Sequence, residues 1–150
     1  MKILGFFFAG LILGLLLESG AGLGAVGSNI AQTVSGGGVT VKVIYLNPKS
    51  NENPRFRVLL DTHSVNLDSY DLKGLTVLRD ETGKSYLPTD TENKGSGHHR
   101  ETILTFPKLS TETKRLEIAI KDVAGVKERT FSWNPGVNLF SSTEDERKEK

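Results

Sequence analysis

Short segments in which apolar and polar residues alternate fill the middle of this chain, and they restrict its fold more than any other feature. In the first, apolar residues at positions 39, 41, 43 and 45 alternate with Thr40, Lys42 and Ile44. A period of two places successive side chains on opposite faces of a β-sheet. Comparable segments follow at 56–60, 75–77, 86–87, 102–106, 116–120 and 131–133. Because no segment here has the apolar spacing of a long helix, we predict an all-β fold of about seven strands.

Turn signals between these segments predict how the strands connect. Residues 80–84 contain Gly83, which can adopt the positive φ that hairpin loops require. Strands with turns every ~8–12 residues predict an immunoglobulin-like antiparallel β-sandwich. A small barrel is the alternative closure. Residues 64–74 and the polar stretch 88–99 are predicted to be long loops.

The beginning of the chain indicates export. An unbroken apolar run at residues 3–17 follows Lys2 and precedes Glu18 and a stretch of small residues, an order typical of a secretory signal. At ~1.5 Å per helical residue, the run is shorter than the ~30 Å hydrocarbon core of a bilayer. Cleavage after Ala21 or Ala25 is therefore favoured over a retained membrane anchor. We expect an extracytoplasmic protein: secreted, periplasmic or at the cell surface, with membrane attachment only where the helix is retained.

Composition divides the remaining chain and limits its partners. We predict a signal peptide or membrane anchor at 1–25, a linker at 26–37 with a glycine hinge, a sandwich domain at 38–134 and a disordered charged tail at 135–150. The formal net charge of +1 disfavours nucleic acid as a partner, since phosphate binding requires clustered basic residues. With no cysteine, disulfides, cysteine-based metal sites and lipid attachment at a cysteine are excluded.

The chain's three histidines are predicted to meet at one end of the sandwich. Antiparallel strands alternate in direction, so counting them places His63, the segment carrying His98 and His99, and the end of the strand before Asp122 at the same end. Imidazole and carboxylate groups bind Zn²⁺ and Cu²⁺. The candidate metal ligands are His63, His98, His99, Asp61 and Asp122. Adjacent residues of an extended chain point apart, so we expect no more than one of His98 and His99 to be a ligand.

Other roles for these residues are also open. The favoured one is structural: the imidazoles hydrogen-bond the loops to one another, with Asp61, Ser64 and Asp122 as local partners. A hydrolytic triad of His63, Ser64 and Asp61 or Asp68 has the right residue types, but neighbours in a strand point apart and cannot form the base-to-nucleophile contact. We therefore expect no catalytic residues, no cofactor-binding residues and no enzyme activity.

Two other groups of side chains receive structural interpretations. Tyr45 and Trp133 are expected in the core, as large aromatic side chains between the sheets. The arginines are scattered singly among acidic residues, which favours a role in solubility over a basic binding face. These arginines are Arg55, Arg57, Arg100 and Arg129.

Four segments, at 61–67, 97–100, 104–107 and 126–133, together resemble a group of uncharacterised bacterial secreted domains. Those domains share the pattern DTHSVDL, GGHH, LxFP and GVPERxFxW. The resemblance covers about residues 39–133, and it departs at Asn66, Ser96 and Lys127, where the group has Asp, Gly and Pro. It implies a single secreted β-domain and carries no activity.

The sequence thus yields two hypotheses of function. The first is an exported, non-enzymatic β-sandwich module that binds or scaffolds an unknown protein or cell-envelope partner through loops at 62–71, 90–100 and 122–128. Recognition on rigid sandwiches usually resides in such loops. The alternative is an extracytoplasmic protein that binds Zn²⁺ or Cu²⁺ through the histidine-lined cluster.

Overall fold

The computed structural model of the protein describes residues 30–135, which form two antiparallel sheets and one helical turn. The elements are β1 (Ala31–Gly36), β2 (Val39–Tyr45), β3 (Arg55–Thr62), α1 (Leu72–Leu75), β4 (Thr76–Asp80), β5 (Ser85–Tyr86), β6 (Asp90–Ser96), β7 (His99–Thr105), β8 (Leu116–Val123) and β9 (Val126–Trp133). The all-β prediction is confirmed. The strands in this part of the chain number nine, where about seven were predicted.

The strands form a five-stranded sheet in the order β1-β2-β3-β7-β6 and a four-stranded sheet in the order β5-β4-β8-β9. Every neighbouring pair is antiparallel. The chain crosses between the sheets after β3 through α1, after β5, and again between β7 and β8. Consecutive strands of one sheet pair as hairpins, and the other three connections join one sheet to the other.

Alternating residues of both sheets meet in one core. Burial alternates along β2 as the sequence predicts, and along β3 the apolar positions Phe56, Val58 and Leu60 are buried. Tyr45 and Trp133 are confirmed as core residues, 4% and 2% exposed. The ring of Phe56 lies 4.5 Å from that of Tyr45 on its own sheet and 5.2 Å from that of Trp133 on the other. Each such aromatic or aliphatic side chain contributes ~1.5–3 kcal/mol by leaving water.

Three segments predicted to be irregular are largely strands in the structure, and in one of them, the predicted loop at 122–128, only 124–125 form a turn between β8 and β9. Residues 31–36, predicted as part of a linker, form β1, which pairs with β2 from Ala31 opposite Ile44 to Gly36 opposite Val39. The glycines after β1 make a tight turn and not a hinge. Residues 90–96, predicted as loop, form β6. Both β1 and β6 are outermost strands of their sheet, so few of their side chains need to be apolar.

The hairpin predicted around residues 80–84 is confirmed. It joins β4 to β5, and Gly83 has a φ of 82°. The carboxylate of Asp80 organises the turn: Oδ1 accepts from the Thr82 and Lys84 N–H groups and from the Thr82 hydroxyl, and Oδ2 accepts from Tyr86 Oη. The hydrogen bond from the Thr82 hydroxyl is the main reason that the pKa of Asp80 is lowered. The turn is thus fixed by a side chain as well as by its glycine.

Some predicted segments lie outside the described residues. They are the signal or anchor helix at 1–25 and all of the charged tail beyond Pro135. Within residues 30–135, no helix is long and apolar enough to span a lipid bilayer.

Candidate functional site

Four connections meet at one end of the sandwich. They are the turn at 37–38, the loop at 63–71, the turn at 97–98 and the turn at 124–125. We call this end of the sandwich the loop end. A backbone hydrogen bond joins two of them, from Leu67 N to Gly97 O at 2.9 Å, and another runs from Thr62 N at the end of β3 to His98 O at 3.1 Å. The prediction that the histidine-bearing segments lie at one end is therefore confirmed.

The two hairpins of the loop end approach each other closely. Gly37 has a φ of 60°, and a Cβ atom on it would lie 2.0 Å from the carbonyl oxygen of Ala124. Only glycine fits there, because a side chain would overlap backbone of the β8–β9 turn. Two non-glycine residues near this contact have positive φ: Asp122, in β8, at 52° and Ala124, in the β8–β9 turn, at 51°.

One strand side chain and the backbone of two turns hold the loop at 63–71 against the sandwich. Arg100 Nη1 donates to Leu67 O at 2.7 Å and to Tyr70 O at 2.5 Å. Gly97 N donates to a carboxylate oxygen of Asp68 at 2.8 Å, and Ala124 N donates to Tyr70 Oη at 3.1 Å. The loop is thus tied to both neighbouring turns, which fixes its backbone.

Arg129 joins the first and last hairpins from inside the protein. It is 2% exposed, and its guanidinium donates to Val123 O at 2.9 Å and to Gly36 O at 2.6 Å. Burial lowers the pKa of Arg129, because removal from water disfavours its charged form. With Arg100 engaged by loop carbonyls, two of the four arginines predicted to serve solubility instead hold the loop end together.

The adjacent histidines serve different contacts. His99 Nδ1 lies 2.9 Å from Asp61 Oδ1 on the outer face of the five-stranded sheet, where the two residues are cross-strand neighbours. His98 Nδ1 lies 3.1 Å from the carbonyl oxygen of Val65 in the loop. The two side chains thus have different partners, and the expectation that no more than one of them is a metal ligand stays a prediction. His98 links its turn to the loop at 63–71, as the structural interpretation of the histidines predicts, whereas His99 links strand β7 to strand β3.

The structure brings together some of the predicted metal ligands and not others. Asp61 and His99 are in contact, whereas His98 is directed to a loop carbonyl. His63 and Asp122 are exposed at the same end. Within residues 30–135, no group of three or more His, Cys, Asp or Glu side chains is placed to hold a metal ion. Zinc or copper binding remains a prediction.

A surface depression adjoins the Asp61–His99 pair. It has a volume of about 450 Å³ and lies on the outer face of the five-stranded sheet, where Lys42, Leu59 and Lys94 also line it. An apolar floor flanked by charged side chains can accommodate an extended chain or a small polar molecule. The depression therefore extends the exposed surface of the loop end onto the sheet.

Sequence reasoning missed the residues that build the loop end. Arg129 lies two residues before the buried Phe131, and Arg100 lies two residues before the buried Thr102. Period-two alternation therefore places both arginines on the inner face of their strands, and this signal could have identified them. Tyr70 carries no comparable signal, because it lies in an irregular loop.

Comparisons with protein-family models, with curated proteins and with solved structures find no match for this chain. The assignment of a role therefore rests on the site itself.

Proposed function

We propose that this chain is an exported, non-enzymatic binding or scaffolding module of immunoglobulin-like architecture, which engages a protein or cell-envelope partner through its loop end. The proposal rests on the observation that some side chains of the loop end fix its backbone while others are exposed to solvent. Arg100, Tyr70 and Arg129 fix the loop backbones, while His63 and Ser69 are exposed on the resulting surface.

Fixed loops that carry exposed side chains favour recognition of a partner over a purely internal structural role. Loops that are already ordered lose less conformational entropy when a partner binds, so more of the contact energy appears as affinity. Loops on a rigid β-scaffold are also where binding residues concentrate. Export is supported by the apolar run at residues 3–17, which has the order of a secretory signal.

The proposal is tested by comparing two pairs of substitutions in full-length labelled protein mixed with cell-envelope fractions of the producing organism. The first variant carries His63→Ala and Ser69→Ala at the loop end. The matched control carries Glu52→Ala and Lys108→Ala, exposed residues in connections at the opposite end. We expect the first variant to bind at least about tenfold more weakly, which corresponds to ~1.4 kcal/mol, and the control to bind normally. Equal binding by both variants would contradict a role for the loop end.

The alternative function is binding of Zn²⁺ or Cu²⁺, supported by the exposed and mutually oriented Asp61 and His99. Melting curves recorded with each metal separate the two proposals, since a metal that binds the folded state raises its melting temperature by mass action. Metal binding at this pair predicts a rise in melting temperature at micromolar metal that His99→Ala abolishes. A melting temperature unchanged by both metals would exclude this alternative and leave the binding-module proposal standing.

A further inference from the structure

Strand β6 forms an open margin of the five-stranded sheet. In the described part of the chain it pairs with β7 alone, and six of its seven residues are exposed. The opposite margin of this sheet is bridged to β9 by Gln32 and Arg129, which bond Ser132 and Gly36. In the other sheet, β5 is two residues long. An open strand of this length is a template for pairing with another strand.

Hydrogen bonds of the neighbouring strands define the direction of the backbone groups of β7. Thr62 N donates to His98 O, and Phe106 N donates to Pro54 O at 2.9 Å. In an antiparallel ladder, the N–H and C=O of one residue point to the same side and those of the next residue point to the other. Even-numbered residues of β7 therefore bond to β3, and odd-numbered residues bond to β6.

The register between β6 and β7 extends this alternation to the open margin. Ser96 lies opposite His99, so even-numbered residues of β6 bond to the odd-numbered residues of β7. Thr91 and Asn93, the odd-numbered extended residues of β6, direct their backbone N–H and C=O groups away from the sheet, whereas Gly95 has a φ of 73° and departs from the regular ladder. Two successive bonding positions, at Thr91 and Asn93, are thus presented by an exposed strand.

The charges along β6 select one way in which a second copy can pair with it. Glu92 and Lys94 flank Asn93, whose side chain accepts a hydrogen bond from the buried Thr102 and so points inward. Glu92 and Lys94 therefore lie on the outer face, where Arg55 contacts Glu92 at 2.9 Å. In an antiparallel pair centred on Asn93, Glu92 of each copy lies opposite Lys94 of the other.

Other two-fold arrangements are less favourable. A pair centred on Glu92 or on Lys94 places two like charges directly opposite each other. A pair centred on Thr91 places Glu92 opposite Asp90, and like charges directly opposite each other are destabilising. A pair centred on Gly95 leaves Lys94 opposite Ser96, without an opposite charge. We propose that two copies of this chain associate through β6 in the antiparallel register centred on Asn93, which joins two five-stranded sheets into one continuous sheet.

The test is sedimentation velocity of the full-length protein over a range of concentrations, in a neutral detergent that covers the apolar N-terminal run. We expect a concentration-dependent dimer. Lys94→Glu places two carboxylates opposite each other and should raise the dimer dissociation constant at least tenfold. Glu92→Lys should do the same, and the double variant Glu92→Lys/Lys94→Glu should restore the dimer. Lys127→Glu, an equal charge change at an exposed position of β9, is the control and should leave it unchanged.

A second variant tests the backbone pairing without changing charge. Thr91→Pro removes an N–H that points to the open margin and spares those that bond β7. It should weaken the dimer and keep the wild-type circular dichroism spectrum. A monomer at all concentrations would overturn the proposal. A dimer that tolerates both Lys94→Glu and Thr91→Pro, or one that the double charge reversal fails to restore, would also overturn it.

Discussion

Gly37 determines how closely the first and last hairpins can approach. Its backbone lies against the carbonyl of Ala124, and Arg129 bonds the neighbouring Gly36 from the interior. Both contacts join the same two hairpins. Gly37 allows close approach because it lacks a side chain, and Arg129 reaches across with a long side chain. The geometry of the loop end thus depends on individual residues that a hydrophobic pattern does not reveal.

We predict that Gly37→Ala destabilises the protein by about 3 kcal/mol or more. A Cβ at this position combines the cost of a left-handed conformation, ~1–2 kcal/mol, with overlap of a backbone oxygen 2.0 Å away. Gly83→Ala is the matched control, because Gly83 has a φ of 82° with open space around it, and should cost only about 1 kcal/mol. Urea unfolding measures both values. Equal losses would show that the hairpins separate easily.

Two substitutions of Arg129 separate the contribution of its packing to stability from that of its buried charge and hydrogen bonds. Arg129→Ala should destabilise by about 3–5 kcal/mol, since it leaves a large cavity and removes the donors to Val123 O and Gly36 O. Arg129→Met keeps most of the volume and removes a charge held out of water, so we expect a loss of only about 1 kcal/mol. Chemical unfolding of the two variants compares them. A methionine variant as unstable as the alanine variant would show that the two hydrogen bonds dominate.

At the scale of single elements, the strands that could be predicted are those with one apolar face. In β2, β3 and β8, buried apolar residues recur at every second position, and the sequence shows this directly. The strands that were missed, β1 and β6, lie at the margins of their sheet. The inner positions of β6 are Thr91 and Asn93, polar residues that hydrogen bonds and partial exposure make tolerable. Their strand conformation follows from pairing with a neighbour, which a single sequence does not show.

The β4–β5 hairpin is an element whose pH response can be predicted. The pKa of Asp80 is lowered chiefly by the Thr82 hydroxyl, so the stabilising contribution of the carboxylate is present above its ordinary pKa and is lost as the pH falls through the lowered value. Thr82→Val should raise the pKa of Asp80 towards its usual range. Carboxyl ¹³C NMR titration measures this change. Thr33→Val, on β1, is the control and should leave the titration of Asp80 unchanged, whereas an equal response to both would contradict the assigned cause.

At the scale of the whole molecule, the sequence correctly predicted that the histidine segments lie at one end of the sandwich, but the predicted order of strands that leads there was incomplete. The sequence interpretation brought the chain down to His98 through the strand after the 80–84 turn. In the structure that strand, β5, is two residues long, and the descent is made by β6 on the other sheet. Strand direction could be inferred from alternation alone. The exchange between sheets could not, because the crossing depends on packing that involves both layers.

β1 belongs to the folded unit that the structure describes, and its contribution to stability can be tested by truncation. β1 pairs with β2 along its whole length, and the Gln32 amide exchanges hydrogen bonds with the Ser132 backbone. A chain that begins at Gly38, the domain boundary predicted from sequence, loses the strand pairing and the Gln32 hydrogen bonds. It should melt more than about 10 °C below a chain that begins at Ile30, because ~1 kcal/mol shifts the melting temperature by ~4–8 °C in a domain of this size. Gln32→Leu in the longer chain separates the contributions, since it removes the side-chain bridge and keeps the strand pairing. Equal melting temperatures for the two chains would show that β1 does not contribute to stability. If Gln32→Leu alone lowers the melting temperature as much as the truncation does, the contribution comes from the Gln32 side chain and not from strand pairing.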